Sequence, residues 1–513
     1  MQKHILEYFE TGSLVHWPQK VAVIDANEKY TFKDIESLSK RCATLVLEKT
    51  TSINELIAVY LPKSAKTVVA DLGISYSGNV YTNLDIQSPP QRTQKVMEHL
   101  GVRWIITEQK YAEMMFSWGI KPDRLIFVEG AFDTKKEYDN ARILNRLEDV
   151  IDTDPFCIIN TSGSTGIPKG VALSHRGVID FMDWVTDRLE LDGHEVIGSL
   201  SPFFFDIYMM ELQLCLYKGA TLVVIPEQLS MFPAKLLEFM SQQSINFIFW
   251  VPTVMVNIAN LDLLSQCNLG SLKKIFFAGE VFPMKQLNYW RRQLPQSTFV
   301  NLYGPIEISV DCTYYVLDRE FRDDEPLPIG YPCRNTDILI LNDEDKSAAV
   351  GEHGELCVRG SSLALGYWND PEKTAAAFVQ NPLNSHYPEL IYRTGDVVYL
   401  NPEGVIMFLG RKDFQIKHLG YRVDLGEIEH VVVSWPEVDN ACVLYDKPNK
   451  KIILIYESAA QITPSDLQQK LMAVFPRYMI PKSFYKVEQM PRNPNGKIDR
   501  QQLKVIYVDS LSG

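Results

Sequence analysis

Residues 161–170 read Thr-Ser-Gly-Ser-Thr-Gly-Ile-Pro-Lys-Gly, a segment that concentrates hydroxyls, glycines and one lysine. Glycines let backbone N–H groups turn toward an anion, hydroxyls add donors, and Lys169 adds positive charge. Apolar runs at 156–160 and 171–173 flank the segment, so we expect a loop between two strands. It is not a Walker A loop, because Lys169 is followed by glycine. A solvated turn is the alternative, but ten residues of this composition favour triphosphate binding.

The overall composition is that of an ordinary globular protein. The chain has 513 residues, of which 46% are hydrophobic and 22% charged, and its formal net charge is −13. At about 150 residues per domain, the length suggests about three structural units. The acidic excess argues against nucleic-acid binding, which needs surplus Lys and Arg to neutralise phosphates. The 8 cysteines form no CxxC pair, so neither a zinc ribbon nor a disulfide scaffold is indicated.

Neither a secretion signal nor a membrane span is indicated. The start of the sequence lacks the apolar core of a signal peptide. The most apolar stretch, Ile245–Leu264, is interrupted by proline, asparagine and aspartate, so we expect a buried strand followed by a helix. These features predict a cytoplasmic protein that does not bind membranes.

Short apolar runs alternate with stretches of helical spacing. Thr31 and Asp34 resemble a capping box that opens a helix reaching Leu47, and a second helix is expected from Pro89-Pro90 to about Gly101. Runs of strand length recur at 56–61, 104–107, 125–128, 156–160, 221–225, 247–251, 275–278 and 299–302. This alternation predicts parallel sheets covered by helices. After about residue 330 turn signals become frequent, which indicates a smaller β-rich unit; helix-like stretches follow at 426–434 and 464–475.

Taken together, seven motifs make the sequence resemble the adenylate-forming enzymes: acyl-CoA synthetases, luciferases and adenylation domains of nonribosomal peptide synthetases. Besides residues 161–170, the motifs in chain order are Asn301-Leu-Tyr-Gly-Pro-Ile-Glu307, Gly354-Glu-Leu-Cys-Val-Arg-Gly360, Gly366-Tyr-Trp368, Tyr392-Arg-Thr-Gly-Asp396, Gly410-Arg-Lys-Asp-Phe-Gln-Ile-Lys417 and Asn495-Gly-Lys497. The resemblance implies an α/β fold. It comprises a large N-terminal domain, 1–412, made of two helix-flanked β-sheet subdomains and a β-rich subdomain. A small mobile α+β domain, 413–513, follows a hinge at Asp413.

The resemblance also implies a site for ATP and Mg²⁺. It assigns Glu307 to Mg²⁺, Asp396 to the ribose hydroxyls and Tyr303 to the adenine ring. The other residues assigned to ATP are Thr161, Ser162, Gly163, Ser164, Thr165, Gly166, Lys169, Gly279, Glu280, Asn301, Gly304 and Arg411. From local sequence alone, Glu307 would be a surface carboxylate after a turn, Asp396 a turn or cap residue, and Tyr303 a core residue.

Two lysines are implied to serve two successive half-reactions. Lys497 would bind the substrate carboxylate and the α-phosphate region during adenylation, since a flexible ammonium can bridge two anions. A swing of the C-terminal domain would then bring forward the face near Lys417 and Gly420, where a phosphopantetheine thiol approaches; the alternative for 410–426 is a loop with solvated charges. One departure from the family is Ile306, which replaces the usual threonine and cannot supply its hydrogen bond.

The segment Phe204-Phe-Asp-Ile-Tyr-Met-Met210 matches the family region that recognises the substrate. Amino-acid-activating members place an aspartate where Asp206 stands, to pair with the α-ammonium group. Asp206 could also be the N-cap of a helix from Ile207 to Leu216, and the two roles are compatible. The remaining pocket positions form a mostly apolar wall: Ile207, Met210, Phe249, Phe276, Ala278, Leu302, Val310 and Asp311. Such a wall favours a small or compact side chain.

The wall looks most like that of stand-alone prolyl-carrier protein ligases, although Asp311 could favour serine or another polar group. D-alanine activation is the runner-up, and Ala278 stands against it, where that subfamily usually has cysteine. An acyl-CoA synthetase is a further alternative, against which Asp206 argues. A degenerate, non-catalytic fold has only Ile306 in its favour. Because no Gly-Gly-x-Ser carrier motif is present, we expect a carrier protein with a phosphopantetheine arm to act in trans.

Overall fold

A computed structural model describes residues 2–26, 28–133, 135–161, 168–412, 415–492 and 498–509. The chain forms two compact units. The first comprises residues 1–86, 101–159 and 170–412, and the second comprises 87–100, 160–169 and 413–513. Within the described ranges, every helix is too short or too polar to span a bilayer.

Among the described residues, the strands form five sheets. They are β1 (Val21–Asp25), β2 (Glu28–Thr31), β3 (Leu56–Tyr60), β4 (Val80–Asn83), β5 (Trp104–Thr107), β6 (Leu125–Phe127), β7 (Pro155–Thr161), β8 (Lys169–Ser174), β9 (Val196–Ser199), β10 (Thr221–Val224), β11 (Phe247–Trp250), β12 (Lys274–Phe277), β13 (Thr298–Tyr303), β14 (Thr313–Val316), β15 (Tyr331–Pro332), β16 (Thr336–Leu341), β17 (Gly354–Gly360), β18 (Gly366–Tyr367), β19 (Phe378–Gln380), β20 (Leu390–Leu400), β21 (Ile406–Arg411), β22 (Gln415–His418), β23 (Tyr421–Asp424), β24 (Asn440–Asp446), β25 (Lys451–Glu457) and β26 (Ser483–Val487).

The helices lie mostly between these strands. They are α1 (Leu6–Tyr8), α2 (Leu14–His16), α3 (Phe32–Leu47), α4 (Ala65–Tyr76), α5 (Pro90–Leu100), α6 (Ala112–Ser117), α7 (Asn140–Glu148), α8 (His175–Arg188), α9 (Asp206–Lys218), α10 (Pro233–Gln242), α11 (Pro252–Asn260), α12 (Met284–Gln293), α13 (Pro371–Ala377), α14 (Leu425–Val433), α15 (Pro464–Val474) and α16 (Arg500–Tyr507). A π-helical turn, Phe9–Ser13, joins α1 to α2, and a short 3₁₀ helix covers Ile306–Ile308.

A nine-stranded sheet positions most of the residues discussed below. Its order is β15-β14-β13-β12-β11-β9-β10-β1-β2, and its six inner strands, from β13 to β1, are parallel. Strands β11 (FIFW) and β12 (KIFF) are nearly continuous apolar runs because both faces of the sheet are covered. Since parallel strands end at the same edge, Trp250, Phe277 and Tyr303 mark one edge of this sheet.

Two further sheets complete the first unit. The seven-stranded sheet has the order β18-β8-β7-β4-β3-β5-β6, and its strands from β7 to β6 are parallel. A five-stranded antiparallel sheet is formed by β16, β17, β20, β19 and β21. This sheet is the β-rich part that turn frequency predicted after residue 330.

The second unit has its own apolar core around the sheet β24-β25-β26. Val423, Ile428, Leu454 and Leu471 belong to this core. Helix α5 also belongs to this unit: the Arg92 guanidinium pairs with the buried Glu427 carboxylate, Nη1 to Oε1, at 2.7 Å. The chain passes from the first unit to the second after Lys412, next to the predicted hinge. Asp413 lies outside the described residues, so the hinge remains a prediction.

Most predicted elements are found within a residue or two of their expected bounds. The capping box of Thr31 and Asp34 is present, and α3 ends at Leu47 as expected. The prediction of a strand and then a helix within 245–264 is confirmed by β11 and α11. The alternative for 410–426, a loop with solvated charges, is wrong, because the described part contains the end of β21 and the hairpin β22–β23.

His175 opens α8 in the core of the first unit. Its Nδ1 accepts a hydrogen bond from the Ile5 amide at 3.2 Å, and burial lowers the pKa of the imidazole to about 3. The ordinary pKa of histidine is 6.5, so below this pH the His175 side chain binds a proton in the unfolded chain but not in the folded chain. The stability that neutral His175 contributes is therefore full above pH 6.5 and is lost between 6.5 and about 3.

We therefore expect His175→Gln, which keeps an acceptor but does not titrate, to flatten the acid limb of the stability curve. The apparent melting temperature, measured from about pH 7 to about pH 4, should fall less steeply than in the unchanged protein. The corresponding difference in the slope of the free energy of unfolding is up to about 1.4 kcal/mol per pH unit. His386→Gln, at an exposed histidine, is the matched control. An unchanged slope in His175→Gln would contradict this role of His175.

Candidate active site

Three polar side chains meet at the end of β13. Tyr303 is the last residue of β13, while Asp396 on β20 and Arg411 on β21 lie opposite each other in register. Arg411 Nη1 donates to Asp396 Oδ1 at 2.7 Å, and the Tyr303 hydroxyl donates to Asp396 Oδ2. Burial and the Asp396 carboxylate raise the pKa of Tyr303 well above its ordinary value, so its hydroxyl stays a donor.

Asp396 is only 5% exposed and lies within an eleven-residue strand. The local reading as a turn or cap aspartate is therefore wrong. A carboxylate has about four lone-pair sites, so one that accepts two hydrogen bonds keeps capacity for two more. The Tyr303 ring lies beside Phe408, with ring centroids 6.2 Å apart, and offers a flat aromatic surface next to this carboxylate. The arrangement suits a ligand that combines a diol with a flat ring.

Glu307 is fully buried, so the local reading as a surface carboxylate is wrong. It lies in the 3₁₀ turn Ile306–Ile308, and its Oε1 accepts a hydrogen bond from the Tyr367 hydroxyl at 2.9 Å. Sequence analysis did not single out Tyr367, although it stands in the quoted motif Gly366-Tyr-Trp368. Among the described residues, no group of three His, Cys, Asp or Glu side chains is arranged to hold a metal ion. A single carboxylate is enough to hold Mg²⁺ where phosphates and water supply the other ligands.

The turn after Glu307 is strained. Ser309 has φ +52° and Val310 has φ +79°, a conformation that is costly for a β-branched residue. Gly304 lies against this turn, since a Cβ on Gly304 would come within 2.5 Å of Asp311 Cα. The Cys312 amide donates to the Tyr303 carbonyl at 2.8 Å and holds the turn in place. Close approach of two backbone segments thus fixes Val310 and Asp311.

The predicted apolar wall is buried in one continuous core. Its members are at most 5% exposed, and all except Asp311 belong to a single hydrophobic cluster: Ile207, Met210, Phe249, Phe276, Ala278, Leu302, Val310 and Asp311. Phe249 and Phe276 are neighbours in register on β11 and β12, with ring centroids 6.4 Å apart. The parallel strands thus bring residues that are far apart in sequence to one edge of the sheet.

Asp206 is partly buried at the start of α9. The helix begins at Asp206 and its N-cap is Phe205, so the prediction of Asp206 as N-cap of a helix from Ile207 to Leu216 is wrong. The carboxylate Oδ1 accepts from the Ile207 amide at 3.0 Å. A carboxylate in the first turn is still favoured by the helix dipole.

The other predicted nucleotide contacts in this unit have structural partners. Asn301 Nδ2 donates to the Pro328 carbonyl at 2.7 Å, a contact that sequence analysis did not anticipate. Glu280 Oε2 accepts from the Thr253 amide at 2.9 Å. Gly279 adopts φ +93°, which favours glycine. Asn301 and Glu280 are therefore held in place by the first unit itself.

The second unit contains the remaining predicted residues. Thr161 ends β7 and Lys169 begins β8, so a strand is present on each side of the segment, as expected. Ser162, Gly163, Ser164, Thr165, Gly166 and Lys497 lie outside the described residues. Lys417 is exposed on β22, and Gly420, with φ +84°, follows Leu419, with φ +54°, in the tight turn to β23. The turn geometry by itself requires glycine at 420.

Comparisons with known proteins identify the family of the chain. Residues 12–368 match the AMP-binding enzyme family, and residues 427–497 match the AMP-binding enzyme C-terminal domain. The chain is 31% identical to zwittermicin A synthase ZmaJ of Bacillus cereus, covering 100% of this chain and 97% of that protein. It is 28% identical to tyrocidine synthase 1 of Brevibacillus parabrevis, but spans only 46% of that relative's length. The Vibrio cholerae adenylation domain AlmE, solved with glycyl-adenosine-5'-phosphate, has the same fold, with a TM-score of 0.82, 23% identity and coverage of 98% and 97%.

The close approach at Gly304 generates a prediction about stability. Gly304→Ala would place a methyl group against the backbone of Val310 and Asp311, so we expect a loss of about 2 kcal/mol or more. Gly270→Ala is the control, since its added Cβ meets only the flexible Asn268 side chain. Thermal unfolding of both variants measures the difference. Equal melting temperatures for the two variants would show that the turn yields without cost.

Proposed function

The chain belongs to the AMP-binding enzyme family, in the branch of nonribosomal peptide synthetase adenylation domains, and we propose that it activates an amino acid with ATP. The products would be an aminoacyl adenylate and pyrophosphate. The observation that carries this proposal is the partly buried cluster of Tyr303, Asp396 and Arg411, which offers a nucleoside both an acceptor pair and an aromatic face.

The chemistry joins two anions, and the site must neutralise and align them. A substrate carboxylate oxygen attacks the α-phosphorus, and the bond from that phosphorus to the oxygen bridging to the β-phosphate breaks. Asp396 would hold the ribose, and Tyr303 would lie against adenine. Mg²⁺ held by Glu307 would supply positive charge to the phosphates. Thr161, Ser162, Thr165 and Lys169 would bind the β- and γ-phosphates, and Lys497 would bridge the reacting groups.

The wall of the pocket supports a small or compact amino acid, and L-proline is our first choice. Asp206 would pair with the substrate ammonium, since a partly buried carboxylate is stabilised by a cation. Phe249 and Phe276 limit the space, and the rigid apolar ring of proline suits such surroundings. Asp311, 3% exposed, favours serine as an alternative. D-alanine is a further alternative, with Met210 in its favour and Ala278 against it.

The second half-reaction would pass the acyl group to a thiol. A phosphopantetheine sulfur attacks the acyl carbon, the bond to the phosphate oxygen breaks, AMP leaves, and the thiol proton goes to solvent. We propose a carrier protein as the donor of this thiol, acting in trans in the cytoplasm. Lys417 and Gly420 would serve this step after a swing at Asp413. Coenzyme A is the alternative acceptor.

Amino-acid-dependent exchange of pyrophosphate into ATP tests the proposal. The panel is the twenty protein amino acids, D-alanine and a set of fatty acids, each with Mg²⁺. Exchange with one small amino acid is expected. Exchange with fatty acids alone would favour an acyl-CoA synthetase, and no exchange with any acid would favour the non-catalytic reading that Ile306 suggests.

Asp206 should determine recognition of the ammonium group. We expect Asp206→Ala to raise the KM for the amino acid about 10- to 100-fold, because a charged hydrogen bond is lost, while the KM for ATP stays the same. Asp343→Ala, at a carboxylate that is 98% exposed, is the control. A similar rise in both KM values would argue against an ammonium contact.

Lys497 should matter for adenylation only. We expect Lys497→Ala to depress exchange about 100-fold or more while thioester formation from supplied aminoacyl adenylate stays within a few-fold of normal. Lys417→Ala, measured in parallel on the carrier protein, should show the opposite pattern. Equal losses in both steps for Lys497→Ala would contradict the use of two faces.

A further inference from the structure

A buried polar cluster lies behind the first turn of α9 and was not predicted from the sequence. It consists of Asp71 on α4, Asn83 at the end of β4 and Tyr208 on α9, which are 0%, 8% and 1% exposed. The Tyr208 hydroxyl donates to Asp71 Oδ2 at 2.9 Å, and Asn83 Nδ2 donates to the same oxygen at 3.1 Å. Asp71 therefore links three separate elements of the first unit.

This cluster holds the chain on both sides of Asp206. Before it, the Phe203 carbonyl accepts from Asn83 Nδ2 at 3.1 Å. After it, Tyr208 is bonded to Asp71. The rings of Phe203 and Tyr208 also stack on each other, with centroids 3.7 Å apart and planes 12° apart. The segment that carries Asp206 is thus closed into a small loop whose two ends are both anchored.

The cluster also fixes the rotation of α9 about its axis. Asp206 and Met210 are four residues apart and share one face of the helix, whereas Tyr208 lies about 200° around from Asp206. Glu211 is on the side of Tyr208, and its Oε2 accepts from the Ser199 hydroxyl at 2.6 Å. Two hydrogen bonds on the rear side therefore hold Asp206 and Met210 at a fixed angle toward the opposite side.

We propose that Asp71 is a positioning residue for substrate recognition. Through Tyr208 and Asn83 it sets the place and rotation of the first turn of α9, and so aims the Asp206 carboxylate at the substrate ammonium. This inference rests on the proposed function. Asp71 itself does not touch the substrate.

The chemical state of Asp71 suits this role. Burial raises the pKa of Asp71 to about 8, and its bonded partners, a phenol and an amide, bring no positive charge. At neutral pH the carboxyl group is therefore mostly protonated. An uncharged acid can still accept hydrogen bonds from both donors. Asparagine at this position would keep the shape, the neutrality and an acceptor oxygen.

Tyr208→Phe tests the proposal with the least disturbance, because the stacked ring stays and only the hydroxyl is lost. We expect the KM for the amino acid in pyrophosphate exchange to rise about 3- to 10-fold, while kcat and the KM for ATP stay within about two-fold. Tyr76→Phe is the matched control. Tyr76 is fully buried on α4, the helix that carries Asp71, and its hydroxyl is bonded to Glu10 Oε1 at 2.6 Å, so it loses the same kind of bond elsewhere. Its amino acid KM should equal that of the unchanged protein.

Substitutions of Asp71 provide the second measurement. Asp71→Asn should keep the amino acid KM within about two-fold, and Asp71→Leu should raise it at least as much as Tyr208→Phe. An unchanged amino acid KM in Tyr208→Phe, or an equal rise in both KM values, would overturn the proposal. So would a rise in Asp71→Asn as large as in Asp71→Leu. If Asp71→Leu does not fold, Tyr208→Phe and Asp71→Asn still test the proposal.

A failure of the proposed function can be distinguished from a failure of the positioning role. If the proposed function is wrong, the unchanged full chain shows no exchange with any amino acid of the panel. The positioning role instead fails with an active protein whose Tyr208→Phe variant keeps its amino acid KM. The substrate used for the KM measurements is the amino acid that gives the fastest exchange.

Discussion

The parallel direction of the inner strands is the constraint on which the candidate site depends. Parallel neighbours end at the same edge, so the sequence after each strand arrives at a common place. Phe249 on β11 lies opposite Phe276 on β12, and Phe276 lies opposite Val300 on β13, two residues before Leu302. Strand β14 begins with Thr313 opposite Tyr303, so the turn between the strands, which includes Val310 and Asp311, stays at the same edge. Burial of both sheet faces is what makes this edge rigid.

Charged groups inside this framework are stabilised by specific partners. Asp396 is held between an arginine and a tyrosine, and Glu307 is bonded to Tyr367. Burying a carboxylate without such partners costs several kcal/mol, which is comparable to the net free energy of unfolding of a whole domain. The partners come from separate strands of three sheets. The position of each carboxylate is thus a property of the fold and not of its local sequence.

Much of the architecture could be read from the sequence because its signals are local. The capping box at Thr31 and the short apolar strands depend on neighbouring residues, and the structure reproduces them. The environment of Glu307 and Asp396 could not be read locally, since burial is decided by Tyr367, Tyr303 and Arg411. The hairpin β22–β23 was missed because Leu419 occupies a turn position that usually takes Asn, Asp or Gly. The Asp71 cluster joins residues up to 137 positions apart, so no sequence window contains it.

The pairing of Arg92 with Glu427 has a consequence for synthesis of the protein. These partners are 335 residues apart, and α5 leaves the ribosome long before α14 exists. The second unit therefore cannot form until α14 has been synthesised. Until then, the apolar face of α5 and the Arg92 guanidinium remain exposed. Contacts of such long range slow folding and expose the nascent chain to aggregation. Chaperone demand during production should accordingly be concentrated in the interval between these two helices.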